Sequence, residues 1–178
     1  TAMDWTIPKF AHIPLIHGQD GTKLSKRHGA LGIETYKDQG YLPEALCNYL
    51  LRLGWSHENE EIITRKQSIS LFDISAVGKS PSRFDIKKLD NINATYMREM
   101  SETKLSYLLE THLRKNLNAT LDPIKLERLT RGLSGLKMRA KNINELAASA
   151  MIYIVSPPIN MDEKASNILS KDARQLIR

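Results

Sequence analysis

Hydrophobic residues recur every three or four positions from about residue 31 onward, and this spacing places them on one face of an α-helix. Pro43 and Gly54 bound one such segment, because proline is favoured in the first turn of a helix and glycine just past its last turn. The apolar stripe of this predicted helix comprises Leu46, Tyr49, Leu50 and Leu53.

Polar residues mark the starts of further helices. Thr64 and Gln67 have the spacing of a capping box, in which each side chain bonds the backbone N–H of the other. Asp85 can cap a helix as well, and Ser101 begins another. Together with the apolar spacing, these signals predict helices at about residues 33–39, 64–72, 85–92, 101–113, 123–133, 143–155 and 162–177.

The β signal is confined to the N-terminal part of the chain. Residues 11–16 form a short apolar run, and Pro14 within it predicts an edge or irregular strand. Turn-forming residues follow at 19–21, and residues 78–82 are predicted to form a loop. The pattern therefore predicts a mainly α protein with a small strand–turn–loop unit at its N-terminus.

Composition narrows the class of protein. The 178 residues suffice for one substantial domain or two small ones, and the net charge of +6 suits a polyanion such as RNA. An ordinary solvated basic surface, without an RNA partner, is the alternative explanation of this net charge. Cys47 is the only cysteine, and its apolar helical neighbours predict a buried, inert thiol. No apolar run reaches 18 residues and no signal-peptide pattern occurs, so we expect a cytoplasmic protein without a membrane partner.

Residues 21–29, Gly-Thr-Lys-Leu-Ser-Lys-Arg-His-Gly, form the densest candidate for chemistry, and we call them the cationic loop. Lys23, Lys26 and Arg27 supply three cations, and Ser25 adds a hydroxyl. Such a loop can present backbone N–H groups and ammonium groups to a polyphosphate. A basic surface turn is the alternative interpretation.

The core of the cationic loop, Lys-Leu-Ser-Lys-Arg, resembles the Lys-Met-Ser-Lys-Ser signature of class I aminoacyl-tRNA synthetases. Residues 8–16 before it and 40–50 after it are similar to the matching stretches of bacterial-type glutamyl-tRNA synthetases. The resemblance implies a loop that closes over ATP while the carboxylate of glutamate attacks the α-phosphate and pyrophosphate leaves.

The same resemblance implies roles for individual residues of the loop. It implies that Lys26 is the main catalytic and ATP-binding residue, and that Lys23 supports catalysis and also contacts ATP. Ser25 and Arg27 become further ATP contacts, with Arg27 in place of the final serine of the family signature. Mobile cations at this position stabilise the charge that develops on the leaving phosphates.

One element that the family needs is missing from the sequence. None of the five histidines has the spacing of the family's His-Ile-Gly-His-like element, which lies upstream of the signature loop. The resemblance therefore implies a C-terminal fragment that lacks most of the adenylate pocket and is inactive on its own. The first residues, 1–5, also suggest a cut into a longer protein.

Residues 79–89 resemble the Ser-Pro-Ala-Arg-Phe-Asp-x-x-Lys-Leu stretch of the same family, in a helical region that contacts the inner side of tRNA. The resemblance makes Lys79, Arg83, Lys87 and Lys88 tRNA-binding candidates, because cations can contact phosphates. Successive helix residues point about 100° apart, so Lys87 and Lys88 cannot face one ligand equally. A solvated helix face is the alternative.

A second basic cluster lies between residues 123 and 142, where six cations accompany one carboxylate, Glu127. We expect Arg128 and Arg131 to contact tRNA phosphates, since this region of the family reaches the anticodon stem. A solvated basic face is again the alternative. The cations of the cluster are Lys125, Arg128, Arg131, Lys137, Arg139 and Lys141.

The resemblance gives a domain prediction and a fold class. Residues 1–30 would end the catalytic domain, 31–116 would form a helical stem-contact domain, and 117–178 would be part of a helical anticodon-binding domain. The predicted fold class is thus mainly α, with a helical stem-contact domain, the start of an all-helical anticodon-binding domain, and a small β/loop remnant of the class I catalytic domain at the N-terminus.

The function implied is ATP-dependent activation of glutamate and its attachment to tRNA. The partners would be tRNA, together with ATP and glutamate held through the missing catalytic domain. Mg²⁺ would enter with ATP in the parent enzyme, this chain would bind no metal, and we expect a monomer. The alternative is a stand-alone, non-catalytic module that binds tRNA or a synthetase. Whether the parent also charges a tRNA for glutamine stays open.

Overall fold

The computed structural model describes residues 5–8, 10, 12–25, 32–117, 121–155 and 163–168. Helices dominate this part of the chain. The elements, in chain order, are β1 (Ile16–His17), α1 (Ile33–Asp38), α2 (Pro43–Arg52), α3 (Arg65–Leu71), a 3-10 turn (Ile74–Ala76), β2 (Ser82–Arg83), α4 (Ile86–Glu99), α5 (Glu102–Leu117), α6 (Pro123–Lys137), α7 (Ile143–Ile154) and α8 (Glu163–Ile168).

Side chains cap the helices as predicted. Thr64 and Gln67 form the expected capping box at the start of α3, with the Gln67 side-chain oxygen accepting the Thr64 N–H at 2.9 Å. Asp85 caps α4, and Asp122 and Asn142 cap α6 and α7. Each cap supplies an acceptor to a backbone N–H that has no partner within the helix.

Helices α2, α4, α5, α6 and α7 pack around one hydrophobic core. Leu109 of α5 and Leu146 of α7 are fully buried in it. The cluster of buried residues extends from Tyr36 to Ile154, and so lies on both sides of the predicted boundary at residue 117. None of the described helices is long and apolar enough to span a membrane.

Two hydrogen bonds join the turn between α1 and α2 to the start of α7. The Ile143 N–H donates to the Gly40 carbonyl at 3.0 Å, and Asn144 Nδ2 donates to the Asp38 carbonyl at 2.8 Å. Gly40 has a φ of +82°, and a Cβ there would lie 2.8 Å from Asn144 Oδ1. Backbone conformation and close approach therefore both require glycine at this position.

The N-terminal β unit differs from the prediction. β1 pairs in parallel with β2, with Ile16 opposite Ser82 and His17 opposite Arg83. The predicted strand at residues 11–16 is wrong, because residues 12–15 form no strand and pairing begins only at Ile16. Pro14 fits this result, since it has no N–H to give to a ladder.

Two expectations about α2 are wrong. Leu50 is 42% exposed, although the apolar stripe placed it in the core. Cys47 is exposed rather than buried, and it lines an open groove between α2 and α3. The reason is that α2 meets the core through Ala45, Leu46 and Tyr49, which leaves the side of the helix with Cys47 uncovered.

Candidate functional site

The described part of the cationic loop begins in a tight turn. The Gly18 N–H donates to the Thr22 carbonyl at 2.8 Å, and His17 forms an antiparallel bridge with Lys23. Gly21 closes the turn with a φ of +78°, a conformation that residues with a Cβ rarely adopt. These bonds fix the backbone on both sides of the turn, next to β1.

The structure describes two of the four candidate ATP contacts. Lys23 is exposed, and Ser25 is half-buried at the end of the described stretch. Lys26 and Arg27 lie outside the described residues. The structure thus gives the geometry at the base of the cationic loop, and the roles of all four residues stay predictions.

The short β pair brings the cationic loop beside the 79–89 segment. The Phe84 N–H donates to the His17 carbonyl at 2.8 Å, directly after β2. Arg83 Nη2 lies 3.8 Å from the position that a Cβ would take at Gly21. Two segments that are distant in sequence therefore lie side by side, and a pairing of two-residue strands so far apart leaves no periodic signal in the sequence.

Aromatic rings at the edge of the core hold the 79–89 segment in place. The Phe84 ring packs edge-on against Tyr49, with ring centres 5.1 Å apart, and also contacts Tyr36. The Asp85 N–H donates to Tyr49 Oη at 2.6 Å. Burial raises the pKa of Tyr49, so its hydroxyl stays protonated at neutral pH. The cap of α4 and the candidate cations after it are thereby fixed to α2.

A cleft of about 330 Å³ opens between α2, β2 and α4, and we call it the basic cleft. Three cations from three elements line it, whereas Lys87 does not. Arg52, the last residue of α2, is one of the three, and the sequence does not predict it as a binding residue because no motif includes it. The lining residues are Tyr49, Arg52, Leu53, Glu61, Ser82, Arg83, Lys88, Asn91 and Ile92.

The other tRNA-binding candidates do not line the basic cleft. Lys79 is exposed and borders a separate depression that His12, Ile13 and Val77 also line. Gly78 also lines that depression, and its N–H donates to the Gly54 carbonyl at 2.8 Å. The 79–89 segment therefore presents its cations to at least two different surfaces.

The basic cluster of α6 is partly neutralised. Arg131 Nη2 lies 2.6 Å from Glu127 Oε1, in an exposed pair one helical turn apart. Arg128 is exposed and forms no ion pair with any described residue. Exposed pairs of this kind are worth little and exchange readily, so Arg131 can still leave Glu127 for another anion.

Within the described residues, no group of three or more histidine, cysteine, aspartate or glutamate side chains could hold a metal ion.

Comparison with known proteins identifies the class. Residues 1–91 match the family described as tRNA synthetases class I (E and Q), catalytic domain. That match covers half of the chain, and the chain therefore belongs to the class I tRNA synthetases of the E and Q group. The resemblance found in the sequence is confirmed.

Individual relatives narrow the group further. The chain is 51% identical over 177 residues to glutamate–tRNA ligase 2 of Zymomonas mobilis, covering 99% of this chain and 37% of that protein. It is 49% identical to glutamate–tRNA ligase 1 of Sphingopyxis alaskensis, covering 99% of this chain and 36% of that protein. The chain thus spans little more than a third of the length of these relatives.

A solved structure shares the fold. The glutamate tRNA ligase from Elizabethkingia meningosepticum, in complex with its amino acid, superposes with a TM-score of 0.78 at 31% identity. The match covers 99% of this chain and 38% of that one. The glutamate–tRNA synthetase from Elizabethkingia anophelis gives a TM-score of 0.75 at the same identity, over 98% of this chain and 38% of that one.

The predicted fold class is wrong in how it divides the chain. It reduced the class I catalytic domain to a small β/loop remnant ahead of a separate helical domain. The catalytic-domain family extends to residue 91, so α1, α2, α3 and the first turns of α4 fall within it. Helical periodicity caused the error, because it has the same appearance whether a helix belongs to a catalytic domain or to a separate one.

Proposed function

We propose that this chain is part of a glutamate–tRNA ligase, which activates glutamate with ATP and attaches it to tRNA. The relatives of that name, which match 99% of the chain, support the proposal. The observation that carries it is the parallel pairing of β1 with β2, which sets the base of the cationic loop beside cations suited to RNA. The enzyme would act as a cytoplasmic monomer.

In the proposed reaction, the carboxylate of glutamate attacks the α-phosphate of ATP and pyrophosphate leaves. Lys26 and Lys23 stabilise the negative charge on the departing phosphates, and Ser25 and Arg27 add contacts to ATP. Cations placed where charge develops lower the barrier more than they strengthen ground-state binding. Mg²⁺ would accompany ATP and share in neutralising its phosphates. This chain supplies the loop, and the rest of the enzyme supplies the nucleotide pocket.

The tRNA would lie across the cations of the two basic segments. Arg83 and Lys88 are the principal proposed contacts, because both line the basic cleft. Lys79, Lys87, Arg128 and Arg131 are proposed as outer contacts to the phosphate backbone, which carries affinity without reading sequence.

The catalytic part is tested in the full-length ligase that contains this chain. Lys26→Ala should lower the rate of glutamate-dependent ATP–pyrophosphate exchange by about 10²–10³, the effect of losing one transition-state donor. Lys66→Ala, which removes an exposed cation on α3, is the matched control and should leave the rate unchanged. A change in the KM for glutamate alone, with the rate intact, would contradict the assigned role.

The RNA-binding part is tested with the chain itself. Replacing Arg83, Lys87 and Lys88 together by glutamate should weaken tRNA binding by roughly 1–3 kcal/mol, because phosphate contacts are lost and like charges are introduced. Fluorescence anisotropy with labelled tRNA at low salt measures the change. Equal affinity of the wild-type chain and the triple variant would remove this surface from the proposed function.

A further inference from the structure

We propose that the basic cleft binds one phosphate group of the tRNA backbone, and that Arg52 is the residue that holds it. The inference rests on the proposed function, since it takes tRNA as the partner. It adds a binding residue that lies outside both basic motifs of the sequence, and it ranks Lys88 above its neighbour Lys87.

The placement of positive charge supports phosphate binding in the basic cleft. Arg52 ends α2, Arg83 lies in β2 and Lys88 lies in the first turn of α4, yet all three line the same cleft. Glu61 is the one carboxylate among the lining residues, so the cleft carries an excess of positive charge. Its volume of about 330 Å³ corresponds to roughly ten waters at ~30 Å³ each, enough for a phosphate group.

The state of the Arg52 side chain also supports phosphate binding. Its Nη1 atom is buried and finds no hydrogen-bond partner in the described part of the chain. A guanidinium is always protonated and needs acceptors for its N–H groups. A phosphate presents several anionic oxygens that a guanidinium can bind in a bidentate manner. Arg52, which lines the cleft, therefore has an unsatisfied donor, and an anion in the cleft would supply acceptors that the guanidinium lacks among the described residues.

The other two cations are available for the same phosphate. Neither Arg83 nor Lys88 forms an ion pair within 4.0 Å among the described residues, in contrast to Arg131 of α6. Ser82, which also lines the cleft, offers a hydroxyl. Lys87 is one residue from Lys88 but points about 100° away around the helix, and it does not line the cleft.

Binding of labelled tRNA to the full chain at several salt concentrations tests the inference. Arg52→Gln and Lys88→Gln should each weaken binding by about tenfold at low salt and reduce the slope of log K against log salt by about one. Lys87→Gln should weaken binding less than Lys88→Gln does. Glu61→Gln should strengthen binding severalfold, because it removes the carboxylate that opposes the phosphate.

Two controls separate a binding role from a structural one. Lys66→Gln removes an exposed cation on α3 that does not line the cleft, and it should bind tRNA within twofold of the wild type. Arg52→Lys keeps the charge but loses the planar guanidinium. This variant should therefore show the wild-type salt slope and only part of the wild-type affinity. A residue that merely supports the fold would change the thermal stability and leave the slope intact.

The outcomes distinguish this inference from the proposed function. If the wild-type chain binds tRNA and Arg52→Gln binds equally well, the inference fails and the proposed function stands. If Arg52→Gln does not fold, the comparison of Lys88→Gln with Lys87→Gln decides, and equal effects overturn the inference. If the wild-type chain does not bind tRNA at all, the RNA-binding part of the proposed function fails with it.

Discussion

Asn93 joins distant parts of the chain from a fully buried position in α4. Its Oδ1 accepts the Leu42 N–H at 2.8 Å, ahead of α2, and its Nδ2 donates to the Lys141 carbonyl at 2.5 Å, ahead of α7. One side chain thereby satisfies two backbone groups from segments that are distant in sequence.

Replacing this residue tests how much the bridge contributes. Asn93→Ala leaves both backbone groups without their partner, and at about 1–3 kcal/mol for each unpaired group the free energy of unfolding should fall by about 2–6 kcal/mol. Urea denaturation measures the loss. Asn91→Ala, at an exposed position of the same helix, is the control and should change stability by less than about 0.5 kcal/mol. An Asn93→Ala variant as stable as this control would contradict the bridging role.

At the residue scale, the sequence predicts local roles such as helix capping better than it predicts tertiary contacts. Asp85 and Thr64 were identified as caps because their partners lie two or three residues away. Arg52 and Asn93 could not be identified, because what surrounds them comes from segments that are distant in sequence. Partners that are near in sequence can be predicted from the spacing of residues. The residues around a cleft or a bridge depend on the tertiary fold.

Among the elements, α6 and α7 approach each other closely at one glycine. A Cβ added to Gly132 of α6 would lie 2.7 Å from Oη of Tyr153 in α7 and closer still to the ring carbons. Gly135, one turn later in the same helix, has no heavy atom within 4 Å of its Cβ position in the described part of the chain.

These two glycines give a matched pair of substitutions. Gly132→Ala should destabilise the protein by about 1–3 kcal/mol, because the Tyr153 ring has to move out of its packed position. Gly135→Ala should instead stabilise it by up to about 1 kcal/mol, because alanine favours the helix and meets no obstruction. Thermal unfolding of both variants shows the difference. Equal melting temperatures would mean that the ring moves at no cost.

The sequence predicts long elements better than short ones. The long helices carry several turns of apolar spacing and local caps, and their existence was predicted. The pairing of β1 with β2 was not, because two residues in each strand are too few for an alternating pattern. The apolar spacing predicts an end of α6 at residue 133, but the helix continues through Gly135 to Lys137.

At the scale of the whole molecule, the buried core has members on both sides of the domain boundary that the sequence predicts. The sequence placed a boundary at residue 117, where turn-forming residues meet Pro123. In the structure α5 packs against both α6 and α7, which lie beyond that position. Leu105, Leu109 and Leu113 of α5 all have 0% exposure in the shared core.

Because the core is continuous, we expect the protein to unfold in one cooperative transition. Burying each leucine of α5 contributes about 1.5–3 kcal/mol, so uncovering all three would remove a large part of the net stability of about 5–15 kcal/mol that a typical domain has. Calorimetry should therefore show a single peak whose van't Hoff and calorimetric enthalpies agree. A chain truncated after residue 117 uncovers α5 and should lack a cooperative transition. Two separate peaks, or a truncated chain that melts cooperatively, would instead support the domain boundary, since a domain with its own core unfolds by itself.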